Sequence, residues 1–501
     1  MINDVFNSDF IPATIGGESL YGYPMRTVIS ESNNTNWDKA VLAMANVNIP
    51  YTYEKSLSWP YNVLHTDLKW STNTEDKKRA SKYIESILLM LRTKVLLNNG
   101  DLSKTEIVWF YPASMTQNRF NKFKAEWENT FATLFGAPIS NIIAASESVA
   151  PYYYHKAKKG ATSTVVSVDI GGGTTDVLIV DKGEPKYLTS FRFAANTIFG
   201  DGYSYDSDSN GFVNKYKDII TNQLETNNLR GLKAVLKSVL DKRVSTDVIA
   251  FLFSLASNKE IKKEKVEINF AKMLADDNRG KYVVILFYVA IVYHIAKLMK
   301  AKGFDMPRHM TFSGNGSKVL NILSTNDATL VRLTKIIFEE IYAQSYSIDG
   351  LDIIRPANSK ESTCKGGIIL TPFQSQDYGE IKDMKTILIG TDNEKFADVH
   401  MTYNDVTEAD LDSVVDVIKE YIEFTFKLDK KFSFYDNFDV DRSIMNKVKD
   451  LCYRDIRTYL ENGLAIKKSE IAQDGADDNL EETLFFYPLV GIINALSLIH
   501  I

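Results

Sequence analysis

Only two cysteines occur in the 501 residues, Cys364 and Cys452. They stand far apart without the spacing of a metal site, which excludes a disulfide framework and points to a reducing compartment. An excess of positive charge is also missing: Lys+Arg 58 against Asp+Glu 64 gives a formal net charge of −6. Nucleic acid as the main partner is therefore not expected, since it usually demands a basic footprint. The lysine-rich stretch 259–265 is interleaved with Glu260, Glu264 and Glu267 and reads as a solvated face. The most apolar stretch, Tyr282–Ala296, contains His294 and is followed by Lys297 and Lys300. It is short for a membrane span and suits a buried core helix, with His294 as a satisfied polar residue on it. Met1-Ile-Asn-Asp-Val5 lacks a basic-then-apolar leader pattern. There is no repeat at solenoid periods and no low-complexity block. With 45% hydrophobic and 24% charged residues, a soluble cytoplasmic protein of two or more domains is expected.

The segment that speaks most directly about function is Asp169-Ile-Gly171-Gly172-Gly173-Thr174-Thr175-Asp176. It lies between strand-like runs at 164–168 and 177–180, and a third such run follows at 186–193. A dinucleotide fingerprint or a P-loop would continue into a helix. Here the order is strand, turn, strand, turn, strand. Glycine permits positive φ and leaves no side chain between its amide and a ligand. Successive amides in a turn converge on an anion, so the loop is a candidate phosphate cradle. Asp169 would repel phosphate but suits hydrated Mg²⁺. A plain glycine-rich hairpin without ligand is the competing reading.

Around this motif, helical stripes are expected from Ala80 to Val95 and from Phe120 to Leu134. Short strands are expected at Glu106–Tyr111 and Ile142–Ala145. Residues 211–280 read as mostly helical. From about Thr371 the style changes: Lys385–Gly390 reads as a strand, Thr407 with Asp410 as a capping-box start, and 440–501 as mainly helical. The apolar end, Leu484 through Ile501, suits either core or a docking surface, with core preferred.

Four separated segments then fall in order: Glu147 ahead of a helix, the glycine hairpin, a second glycine turn (Gly200-Asp201-Gly202), and a strand–glycine–helix turn (Gly314-Asn315-Gly316-Ser317-Lys318). This order resembles the superfamily of actins, heat-shock chaperone ATPases and sugar kinases, and most closely the DnaK-like chaperone branch. The resemblance covers about residues 60–372. It implies an α/β, two-lobed, actin-like ATPase fold with ribonuclease H-like sheets and a helical C-terminal extension. The implied divisions are a first lobe (1–160), a second lobe (161–372) with a helical insertion at about 203–280, and the extension (373–501).

It also implies ATP or ADP with Mg²⁺ as ligands. By resemblance Asp169 and Glu147 would serve the metal and the attacking water, and Gly171, Gly172, Gly173, Thr174 and Thr175 the phosphates. Gly200 and Gly202 belong to the same expected site. Gly314, Asn315, Gly316 and Lys318 would border the adenosine, and Lys69 would face the phosphates. Simpler readings stay open: Glu147 as a helix cap, 314–318 as a plain turn, Lys69 as a surface lysine. A protein partner is expected through the extension; the oligomeric state is not indicated.

The family's first phosphate hairpin has no counterpart before residue 60. Ile15-Gly16-Gly17-Glu18-Ser19 lacks the aspartate and a preceding apolar strand. Two explanations fit: a piece of a longer polypeptide, or a divergent member without that loop. Impaired nucleotide binding is the expectation either way. A nucleotide-free scaffold (pseudo-ATPase) and an actin-like filament protein are the alternatives to a chaperone-like, nucleotide-driven switch.

Overall fold

The computed structural model describes residues 25–32, 42–48, 62–65, 68, 71, 74–112, 115, 117–159, 164–204, 206–347, 350–356, 359–369, 402–474, 480 and 482–500. Lys69, the segment 15–19 and the expected strand at 385–390 lie outside these residues.

The N-terminal part carries a three-stranded antiparallel sheet, β1 (Met25–Ser32), β2 (Leu42–Asn48) and β3 (Asn62–His65), ordered β2-β1-β3. Helix α1 (Thr74–Leu97) buries Ile84 and Leu88, the centre of its expected stripe. Strands β4 (Ile107–Tyr111) and β5 (Ile142–Ser146) pair in parallel, connected through helix α2 (Gln117–Phe135), as parallel strands require. The aromatic stripe of α2 packs on β4: the rings of Trp109 and Trp127 stack at 5.5 Å, and Phe131 is fully buried. Gly136, at φ +62°, closes the helix in the left-handed region. Helix α3 (Val149–Lys159) follows β5 directly, with Tyr152 and Tyr153 packed inwards.

The second sheet has five strands in the order β10-β9-β6-β7-β8, comprising β6 (Val165–Ile170), β7 (Thr175–Asp181), β8 (Glu184–Phe191), β9 (His309–Ser313) and β10 (Asp352–Ile354). β6, β7 and β8 form the expected antiparallel meander; β9 and β10 add in parallel. Every residue of β6 is buried, because both faces of the sheet are covered. One face holds Val166, Val168, Ile170, Val177 and Ile179 against the main core. The other holds Val165, Leu178, Val180 and Leu188 against Val149, Ala150, Tyr152 and Tyr153 of α3. Helix α4 (Ala195–Phe199) follows β8, and α5 (Gly211–Thr226) begins a run of helices that leads to β9.

At the centre of the main core lies α6 (Lys281–Ala301), the helix anticipated at Tyr282–Ala296. Its 21 residues make it long and apolar enough to cross a bilayer by length and composition, but 94% of its apolar window is buried inside the protein. One expectation fails here. Among the described residues neither ring nitrogen of His294 has a hydrogen-bond partner. The imidazole sits among Phe191, Phe485 and Phe486, with ring centroids 5.0–5.5 Å away.

Beyond helix α7 (Asp327–Tyr342), helix α8 (Ser359–Ile369) lies on α3. A Cβ at Gly366 would stand 1.8 Å from the Ala150 carbonyl oxygen, so only glycine permits this approach. The C-terminal region contributes α9 (Glu408–Phe432), α10 (Met445–Tyr453), α11 (Ile456–Asp474) and α12 (Phe486–Ser497). Thr407 and Asp410 form the expected capping box. Tyr421, Leu484, Phe485 and Phe486 are buried in the same continuous core as β6, β7 and α6. The described part of the extension is thus built into the core of the second sheet, and its apolar end is core.

Candidate functional site

Strand register brings four polar side chains into one line across the second sheet. Asp169 lies opposite Ser313 on β9 and Asp176 on β7, and Asp176 lies opposite Ser190 on β8. Directly opposed residues share a sheet face, so Ser313, Asp169, Asp176 and Ser190 form a row. All four are nearly buried, Asp169 at 8% and Asp176 at 1% exposure. The Ser313 hydroxyl donates to Asp169 Oδ2 at 3.1 Å. Among the described residues the buried Ser190 Oγ has no hydrogen-bond partner. Two carboxylates directly opposite each other repel, a defect that a cation between or beside them would relieve.

The row ends at the glycine turn. Gly171 N–H donates to the Thr174 carbonyl at 2.9 Å and closes it. Gly172 and Gly173 are exposed, and a Cβ on Gly173 would meet nothing within 4 Å. None of the three glycines has positive φ. The freedom expected of them is not used; what they supply is unobstructed approach to their amides. Among the described residues the amides of Gly172, Gly173 and Thr174 have no acceptor. The carbonyls on the opposite side are occupied: Ala195 N–H donates to Gly171 O at 3.3 Å, and Asn196 N–H to Gly172 O at 2.8 Å. The turn is therefore held from behind by the start of α4 and presents donors in front. The Thr174 hydroxyl lies 3.5 Å from Asp176 Oδ2. Thr175 differs: it is fully buried and its hydroxyl donates to the Phe193 carbonyl at 2.6 Å, so it anchors β7 to the loop after β8.

The turn at 314–318 is placed against the hairpin. Gly314 adopts φ +79°, and a Cβ there would fall 2.2 Å from Ile170 O and 2.4 Å from Asp169 Oδ1. A Cβ at Gly316 would fall 2.2 Å from Gly171 O. Two distant glycine motifs thus meet backbone to backbone, with Asp169 between them. Asn315 and Lys318 are exposed on a short 3₁₀ turn spanning Asn315–Val319.

Glu147 follows β5, and its amide donates to Tyr111 O at 3.0 Å. It stands two residues ahead of α3, and α3 packs on the sheet face that carries the polar row. Gly200 and Gly202 lie on the other flank, where they border a cavity shared with Gly173. Asp201 Oδ1 accepts from the Ser245 amide at 3.1 Å, and burial raises its pKa above the ordinary carboxylate value. Sequence inspection singled out Asp169 but not Asp176, Ser190, Ser313 or Asn196. The first three follow from counting register along adjacent strands; Asn196 had no local signal. Among the described residues no group of three or more His, Cys, Asp or Glu is placed to hold a metal. Only the weaker demand of a largely hydrated ion, met by one or two carboxylates, is open to this site.

These features define a mixed α/β protein whose second sheet carries a donor-rich hairpin turn beside a buried carboxylate pair. No family model and no curated protein matches the chain. Among solved structures it is similar to MreB5 of Spiroplasma citri bound to ADP, at 13% identity and TM-score 0.31, covering 70% of this chain and 90% of that one. The AMPPNP-bound form of MreB 5 gives 12% and 0.30 over 70% and 90%. The ethanolamine utilization protein EutJ from Carboxydothermus hydrogenoformans gives 11% and 0.29 over 74% and 97%.

Proposed function

We propose that the chain is an actin-like, nucleotide-binding protein that holds the phosphates of ATP or ADP on the amides of Gly172, Gly173 and Thr174. The observation that carries this reading is the turn itself: adjacent amides without acceptors among the described residues, two of them on exposed glycines, fixed from behind by α4, at the end of a row containing two opposed carboxylates. Converging N–H dipoles favour an anion. The opposed Asp169 and Asp176 fit a cation beside them; by the resemblance, Mg²⁺ would be held by Asp169 with Glu147 and would neutralise the phosphate oxygens. Asp169 and Glu147 would also orient water for slow hydrolysis. The nucleotide state would reach a protein partner through the C-terminal helices, since α12 packs on α4 and α4 holds the turn.

The test is calorimetric titration of the full chain with Mg-ATP and Mg-ADP, beside Gly173→Asp. That substitution enters open space and leaves the fold intact while placing negative charge where phosphate would sit. Binding should weaken by at least about tenfold. Equal affinity in the two proteins would refute a phosphate on this turn.

A further inference from the structure

An open-sided cavity of about 300 Å³ starts at Gly173 and is bordered by the segment Gly200–Tyr203 together with α11 and α12. Its apolar walls are Ile466 and Val490, with Tyr203 and Tyr487 beside them. Charged groups from distant parts of the chain meet in it. Lys467 and Glu482 are 5% and 3% exposed and stand 3.7 Å apart. Glu482 also accepts from the Arg192 amide at 3.1 Å and from the Tyr487 hydroxyl at 2.9 Å. The Arg192 guanidinium pairs with Glu470 at 2.7 Å. Burial alone would lower the pKa of Arg192, but Glu482 and Glu470 outweigh it and keep the group charged. Tyr203 donates to the Tyr487 carbonyl at 2.5 Å and ties one wall to the other.

The two cations meet three carboxylates, Glu482, Glu470 and Asp201, so the cavity does not call for an anion. It offers aromatic and aliphatic walls with fixed N–H donors, the setting in which small-molecule sites bind a flat, uncharged polar body. Its volume is at the lower limit of about 300–1,000 Å³ for such sites, enough for a heterocycle with its sugar but not for a triphosphate as well. The phosphates would stay outside, beside Gly173, the residue of the turn that borders the cavity.

We propose that this cavity receives the nucleoside half of the nucleotide, with Arg192 and Lys467 donating to base or ribose acceptors and with Tyr203, Tyr487, Ile466 and Val490 as walls. This rests on the reading of Gly172–Thr174 as the phosphate site. It moves the nucleoside away from Gly314–Lys318 and makes the C-terminal helices part of the ligand site.

The experiment titrates the full chain with Mg-ATP and, separately, with inorganic tripolyphosphate, which carries the phosphates alone. Val490→Trp and Ile466→Phe fill the cavity from two sides; Lys318→Ala probes the rival position. The expected result is that both filling variants bind ATP at least about tenfold more weakly, approaching tripolyphosphate, while tripolyphosphate affinity is unchanged and shows that the turn and fold persist. If the filling variants keep wild-type preference for ATP over tripolyphosphate, or if Lys318→Ala alone abolishes that preference, the nucleoside lies elsewhere and the inference falls while the phosphate site stands. If the wild-type chain binds neither ligand, the phosphate reading itself has failed.

Discussion

His294 should make this fold acid-labile well above the pH at which its carboxylates titrate. The imidazole is fully buried among aromatic rings without a hydrogen-bond partner, so burial pulls its pKa from 6.5 down to about 3. The folded state then rejects a proton that the unfolded chain accepts. The associated stability is complete above the unfolded pKa and declines as pH falls through 6.5 towards 3. Each pH unit in that window costs about 1.4 kcal/mol, with a ceiling near 5 kcal/mol and a loss of roughly 2 kcal/mol by pH 5. A loss of that size is a large share of a typical folding free energy. Denaturant unfolding of the wild type, His294→Leu and His294→Phe at pH 7.5 and pH 5.0 tests this. Packing costs of each variant cancel in its own pH difference. Both variants should lose about 2 kcal/mol less than the wild type on acidification. The same loss in all three would refute the assignment of acid sensitivity to this ring.

Two further outcomes concern packing and charge. Glu482→Gln leaves Lys467 and Arg192 without their shared buried counter-charge, and should cost about 3–5 kcal/mol in urea unfolding. A loss under about 1 kcal/mol would show that the cluster is solvated like a surface ion pair. Gly314→Ala combines φ +79° with a backbone clash 2.2 Å from the new Cβ. It should lower the melting temperature by several degrees and weaken any phosphate binding, because the hairpin must shift to admit the methyl group. An unchanged melting temperature would refute the tight apposition of the two glycine motifs.

The strand–turn–strand reading of 164–193 was legible because its apolar runs and glycines are local signals, and the structure places β6, β7 and β8 there. The stripes of α1 and α2 and the Thr407 cap were legible for the same reason. The meeting of Gly314 with Ile170 was only partly legible: the glycine was visible, but its partner lies about 140 residues away and no local pattern encodes the contact. The carboxylate row required register, which depends on pairing between strands. The role of the C-terminal region was obscured because an amphipathic helix reads the same whether it covers its own domain or meets another protein. His294 shows the opposite limit. Its type suggested a hydrogen-bonded residue, and only the meeting of Phe191 with Phe485 and Phe486 from a distant segment surrounds it with rings instead.

The seating of α12 on α5 has a consequence for biosynthesis. Gly211 N–H donates to Ser497 Oγ, and a Cβ at Gly211 would overlap the Ser497 carbonyl at 1.6 Å. Contacts this distant in sequence close late. A nascent chain leaving the ribosome would expose the greasy flanks of α6, Phe191 and Phe193 until α12 emerges to cap them. A chain cut short before α12 should therefore engage holding chaperones or aggregate.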